Sequence, residues 1–335
     1  MTGPPLTGPP VTGGVYLDAY LSPLAPWLER DDVTDLMVNR PGEVWIETAR
    51  GTTTREAAPQ ITEVALGRLA RQIAAASHQG VNREHPLLSA TLPDGSRVQV
   101  IAPPATRGGL ALAVRKHVIS DLSLDDLDGL GLFEPGAAPE PGQSGDEALQ
   151  ALLDRGDRLG FLKRAVKHKK TIVISGAAGA GKTTLLNALV KEIPKSERLI
   201  VIEDAPEIRL DRDNAVGLVA VRGDQGEARV DADDLLRASM RMRPDRVLLG
   251  ELRGSEAFTF LRTINSGHPG SITTVHADDP EGALDQIAML ALTSGLDLGW
   301  AQLKTYVTRL IDVVVQMDAA SGRRRVGEVM FRTRR

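Results

Sequence analysis

The sequence predicts an α/β protein in two parts: a C-terminal domain on a mostly parallel sheet, preceded by a smaller α+β domain. Two observations carry this. Short apolar runs at 171–175, 199–202 and 246–249 are separated by stretches with helical spacing, the pattern of βαβ units whose strands are buried on both faces. Upstream, a stretch rich in Pro and Gly from Glu134 to Gly145 breaks the composition as an interdomain linker does. With 335 residues, 42% of them hydrophobic, the chain is long enough for two cores.

In chain order, residues 1–14 are mainly Pro, Gly and Thr with little to bury and are expected to form a disordered tail. The N-terminal α+β domain is expected over 15–133. Within it Glu43-Val44-Trp45-Ile46-Glu47 alternates like a strand, and 61–79 is rich in Ala and Leu at helical spacing. Pro93-Asp94-Gly95-Ser96 reads as a turn between two extended stretches, and 110–114 as another strand. After a linker at 134–147, the second domain runs over 148–335, opening with one helical segment at 149–167. Ligands in such sheets bind at the carboxyl ends of the strands.

Composition narrows the chemistry. The 40 basic and 44 acidic residues leave a formal net charge of −4, so no strong overall field draws nucleic acid or anionic lipid. Aromatics at 3% leave little to stack on bases, which argues against a single-strand channel. The lack of cysteine excludes disulfides, thiolate metal sites and cysteine nucleophiles. No run of about 18 apolar residues and no signal-peptide pattern occurs, which predicts a protein of the cytoplasm.

Gly176-Ala177-Ala178-Gly179-Ala180-Gly181-Lys182-Thr183 matches G-x-x-x-x-G-K-[ST], placed after a buried run and before a helix beginning at Thr184. Small residues let backbone N–H groups curl round phosphates, and the helix N-terminus adds positive potential. Lys182 then reaches the β- and γ-phosphates and Thr183 ligates magnesium. ATP and Mg2+ are therefore expected, with residues 176 to 184 as the binding segment. Hydrolysis needs carboxylates, and two strand ends offer them. Glu251 is assigned to the magnesium hydration shell and the attacking water, and Glu203 to orienting or activating that water, on the expectation that both strands flank the phosphate-loop strand.

His268 and His276 bracket a short apolar segment with no metal-ligand company, so sensing of the γ-phosphate is their functional reading. Arg237 and Arg241 are expected on one helix face, where they could act as arginine fingers or anchor a neighbouring element, the alternative being a solvated basic face paired with Asp233 and Asp234.

The phosphate loop, the acidic box at 198–207, the box at 244–253 and the histidine box at 267–276 stand in the order of the secretion-superfamily traffic ATPases, which the chain resembles over nearly its whole length. Val38-Asn39-Arg40-Pro41-Gly42-Glu43-Val44-Trp45 and the segment 267–278 are similar to the conjugation and effector-export branch, including the P-type DNA transfer and TrbB-like ATPases. The resemblance implies a RecA-like ATPase domain and a hexameric motor powering assembly of, or DNA or protein transfer by, a type IV secretion apparatus. A tight-adherence or type IV pilus motor is the alternative. It further implies a homohexameric ring peripheral to the inner membrane, contacts with inner-membrane components and a possible coupling protein, and nucleotide held between the domains with Arg115 reaching the phosphates; direct nucleic-acid binding is not indicated, on the charge and aromatic content given above.

Overall fold

The computed structural model describes residues 13–116, 124, 145–221, 226–295, 297–320 and 323–333. The chain divides into two compact units, Met1–His117 and Val118–Arg335. The sequence-predicted linker lies outside the described residues up to residue 144, as does the tail up to residue 12.

The first unit opens with α1 (Gly13–Leu21), a 3-10 turn at Ser22–Leu24 and α2 (Ala25–Leu28). There follow β1 (Val33–Val38), β2 (Gly42–Thr48), β3 (Thr53–Ala58), α3 (Glu63–Ala76), β4 (Leu87–Thr91), β5 (Arg97–Ile101) and β6 (Ala111–Arg115). The strands form one antiparallel sheet ordered β3-β2-β1-β6-β5-β4. Leu66, Leu69, Ala70 and Ile73 recur at helical spacing on α3 and are buried in one core with Leu36, Val44, Ile46, Val100 and Leu112 of the strands. Thr62 Oγ1 accepts the Ala65 N–H at 3.1 Å and fixes where α3 starts.

The second unit contains α4 (Gly145–Asp154), α5 (Arg158–Lys167), β7 (Ile172–Gly176), α6 (Lys182–Glu192), β8 (Leu199–Glu203), β9 (Ala215–Val219) and α7 (Ala232–Ser239). It continues through β10 (Arg246–Leu249), α8 (Glu256–Asn265), β11 (Ile272–Val275), α9 (Pro280–Leu292), α10 (Trp300–Leu310), β12 (Val313–Ala320) and β13 (Arg323–Phe331). Its sheet is ordered β13-β12-β7-β11-β10-β8-β9. Every neighbouring pair is parallel except β12 and β13. This is the mixed α/β architecture the apolar runs predict.

Two details differ from the sequence reading. The helical segment expected at 149–167 is two helices, because Gly156 takes φ +75° and the Asp157 carboxylate caps α5 by accepting the Gly160 N–H at 2.8 Å. The strands carrying Glu251 and Glu203 do not flank the phosphate-loop strand. Buried β11 lies between β7 and β10, hydrogen-bonded to both, and β8 lies one strand further out.

At the other end of the strands a buried charge cluster ties the sheet together. Arg246 is fully buried; its Nε and Nη2 donate to the two Glu197 oxygens at 2.5 and 3.1 Å, and Nη1 donates to the Gly270 carbonyl at 3.3 Å. Arg198, also buried, donates to the Met242 carbonyl and to Asn214, and burial pulls its guanidinium down to about 9. Arg212 Nη2 donates to the Val190 and Ile193 carbonyls at 3.0 and 2.9 Å, satisfying the C-terminal end of α6.

Candidate active site

The loop from Gly176 to Gly181 leaves the carboxyl end of β7 and enters α6. Its shape depends on glycine: Gly176, Gly179 and Gly181 have φ of +146°, +75° and +97°. At Gly176 a Cβ would also stand 2.6 Å from the Met317 carbonyl oxygen on β12. No side chain caps α6, since Gly181 is its N-cap, so the first-turn N–H groups are presented to whatever enters the cleft.

That cleft, about 520 Å3, is lined by the loop, by Lys182, Thr183 and Thr184, and by Glu203, Glu251, Arg253, Thr274, His276 and Arg324. Lys182 Nζ donates to the Gly176 and Ala177 carbonyls at 2.8 and 3.0 Å and lies 3.2 Å from Nδ1 of His276. Burial lowers its pKa, an effect opposed by Glu251 and reinforced by Arg253.

Glu251 follows the end of β10 by two residues. Its Oε1 is 2.7 Å from His276 Nε2, and its Oε2 is engaged by Arg253. Two bonds from β11 hold this loop: Thr274 Oγ1 donates to the Gly250 carbonyl at 2.8 Å, and the Leu252 N–H donates to the Thr274 carbonyl at 2.9 Å. The Glu256 carboxylate adds a third support, accepting the N–H groups of Arg253 and Gly254 at 2.7 and 2.9 Å. Thus β11, the strand placed between β7 and β10, makes the contact that the sequence reading expected from direct adjacency.

Glu203 ends β8 within the cleft, yet its Oε1 already accepts the Glu207 and Ile208 N–H groups at 3.0 and 2.8 Å. Its carboxylate therefore shapes the 204–208 loop, a task the sequence did not announce. Buried Gln316 on β12 accepts from Ser175 Oγ and donates to the Ala277 carbonyl at 3.3 Å, coupling the start of the phosphate loop to the segment after His276.

Two expectations are corrected. His268 is not in this cleft: it precedes β11 while His276 follows it, and its Nδ1 lies 3.0 Å from the Thr263 carbonyl at the end of α8. Arg237 and Arg241 do not share a helix face, because α7 ends at Ser239, whose hydroxyl bonds back to the Leu236 carbonyl at 2.7 Å. Arg237 instead pairs with Asp233, and exposed Arg241 lies outside the cleft. Arg115, at the end of β6, donates from Nε to Asp35 at 2.8 Å and is more than half exposed.

Arg253 and Arg324 were not singled out from the sequence. Arg253 carried a signal, two residues from Glu251 at the end of the box at 244–253; Arg324 showed only as the middle of Arg323-Arg324-Arg325.

The geometry fits a nucleoside triphosphate with a divalent cation: positive-φ glycines curve the loop, an uncapped helix start faces the cleft, and the Lys182 ammonium, the Thr183 hydroxyl and the Glu251 carboxylate are among the groups that line it. The family described as Type II/IV secretion system protein matches residues 147–332. The type IV secretion system protein VirB11 of Bartonella quintana (strain Toulouse) is 36% identical over 326 residues, covering 93% of this chain and 91% of that protein. The type IV secretion system protein PtlH of Bordetella pertussis (strain Tohama I / ATCC BAA-589 / NCTC 13251) is 40% identical over 329 residues, covering 94% and 95%. A crystal structure of the VirB11 ATPase of the Brucella suis type IV secretion system, in complex with sulphate, superposes with a TM-score of 0.87 at 36% identity, covering 94% of this chain and 97% of that one.

Proposed function

This chain belongs to the Type II/IV secretion system protein family, and on that footing we propose that the cleft at the phosphate loop is where it hydrolyses ATP to drive a type IV secretion apparatus. The ATPase activity follows from the family and from likeness to secretion ATPases over nearly the full length. That likeness favours type IV secretion over the pilus-motor alternative. The observation that carries the site is the chain of contacts from Lys182 through His276 to Glu251, which gathers three segments at the mouth of a phosphate loop.

In this reading Lys182 leaves the Gly176 and Ala177 carbonyls for the β- and γ-phosphates, and the helix N–H groups bind the remaining phosphate oxygens. Thr183 and, through water, Glu251 would hold magnesium, which neutralises developing charge when bound. Glu251 orients the attacking water, whose oxygen bonds to the γ-phosphorus as the bond to the β–γ bridging oxygen breaks, giving ADP and phosphate. Glu203 supports this from the neighbouring acidic loop. The resemblance assigns Arg115 to the phosphates as well.

The motor is proposed to act as a homohexameric ring at the inner membrane, docking on membrane components of the apparatus and on a coupling protein. Among the described residues no helix is long and apolar enough to cross a membrane, in keeping with peripheral attachment. The test is ATPase rate against protein concentration, with light scattering to follow assembly. Turnover per subunit should rise with ring formation and vanish when the divalent cation is chelated. A rate per subunit that stays flat through assembly would overturn the ring, and turnover unaffected by chelation would overturn the magnesium assignment.

A further inference from the structure

Three arginines open β13, and strand alternation sends them to different faces. Arg325 stands opposite Asp318 on β12 and pairs with it, Nε to Oδ2, at 3.5 Å. Arg324 points the other way, across the phosphate loop. A Cβ at Gly181 would lie 3.1 Å from Cδ of Arg324 and 3.7 Å from Cε of Met317, so the arginine stem covers the last glycine before Lys182. Arg324 is exposed, lines the cleft, and its side chain has no hydrogen-bond or ion-pair partner among the described residues. An exposed arginine is usually a hydrated surface charge; this one stands over a phosphate-binding loop with its donors uncommitted.

Sheet order decides which end of a nucleotide it would meet. On one side of β7 lie β11, β10 and β8, which deliver His276, Glu251 and Glu203. The cleaved γ-phosphate belongs on that side, with the carboxylates. On the other side of β7 lie β12 and β13, which deliver Met317 and Arg324. A nucleotide threaded over the loop with its γ-phosphate towards Glu251 directs its α-phosphate and nucleoside towards the β12–β13 flank.

We propose that Arg324 is an affinity-determining residue of the nucleotide site, its guanidinium binding the α-phosphate end while Lys182 holds the β- and γ-phosphates. The proposal rests on the ATP reading of the cleft. A guanidinium suits the task because its planar fork donates two charge-assisted hydrogen bonds to phosphate oxygens, whereas an ammonium offers a point charge. A contact at the α-phosphate is made equally to ATP and ADP. It therefore sets how tightly either is held and contributes little to the cleavage step.

The experiment is calorimetric titration of the full chain with Mg-ADP and with a magnesium complex of a non-hydrolysable ATP analogue, together with steady-state ATPase kinetics. Arg324→Ala should weaken both ligands by the same factor, about tenfold, with the loss in turnover appearing in KM more than in kcat. Arg324→Lys should recover part of that affinity, which a merely structural disturbance of the hairpin would not allow. Unchanged ADP affinity in Arg324→Ala would overturn the proposal, and so would a loss confined to the ATP analogue, which would move Arg324 to the γ-phosphate. Wild-type protein that binds neither ligand, or binds both equally well after Lys182→Ala, would overturn the ATP reading of the cleft and this assignment with it.

Discussion

Nζ of Lys182 and Nδ1 of His276 lie 3.2 Å apart, although 94 residues separate them in sequence. An ammonium can only donate, so Nδ1 is the acceptor and the ring hydrogen sits on Nε2, the nitrogen that lies 2.7 Å from Glu251 Oε1. The imidazole thus sits between the cation proposed to grip phosphate and the carboxylate proposed to handle water.

Replacing His276 with Ala should break this relay. We expect kcat to fall by about tenfold or more, as for loss of one group in proton handling, with nucleotide affinity changing less. Single-turnover and equilibrium-binding measurements separate the two; unchanged kcat would show that the ring is dispensable to the chemistry.

Lys182→Ala should leave less than about a tenth of wild-type turnover, since it removes the one cation the loop itself contributes. In the free protein the ammonium is held by two carbonyls and an imidazole, and burial lowers its pKa while Glu251 opposes that shift. ATPase assays and nucleotide binding should fall together, and retained turnover would displace the site.

Glu251→Gln keeps the shape of the side chain and loses its charge. ATP should still bind while hydrolysis slows by roughly 100-fold or more if the carboxylate acts on water. The variant should trap ATP on the protein, visible by filter binding; normal affinity with normal turnover would contradict the role.

Far from the cleft, Arg246→Ala should strip Glu197 of its bidentate partner at a buried site. Breaking such a pair costs about 3–5 kcal/mol, read as a lowered midpoint in urea unfolding with the slope unchanged. A shift worth less than about 1 kcal/mol would mean that Lys169, 3.9 Å from Glu197, takes over its charge.

The residues that do local work were legible in the sequence. The phosphate loop, its strand and its helix are set by neighbours in the chain, and Glu251 and Glu203 announced themselves by ending apolar runs. Strand order was not legible, because which buried strand lies beside which depends on packing between segments far apart in sequence. The short run 272–275, fully buried, gave no hint that it would separate β7 from β10. The end of α7 is readable in the sequence: Pro244 disfavours helical backbone at the residue before it, and Arg243 has φ +57°. Arg324 could not be found, since its place depends on which face of β13 meets the loop.

The insertion of β12 beside β7 also sets an order of events in the life of the chain. Ser175 and Val315, which share this strand pair, are 140 residues apart, so a growing polypeptide makes the phosphate loop long before the hairpin that covers it. Until then one edge of β7 is bare, and Gly176 and Gly181 lack the Met317 and Arg324 contacts that overlie them. Closing so long a loop is slow, and a ribosome-bound chain arrested between β11 and β12 should neither retain nucleotide nor gain protease resistance from it.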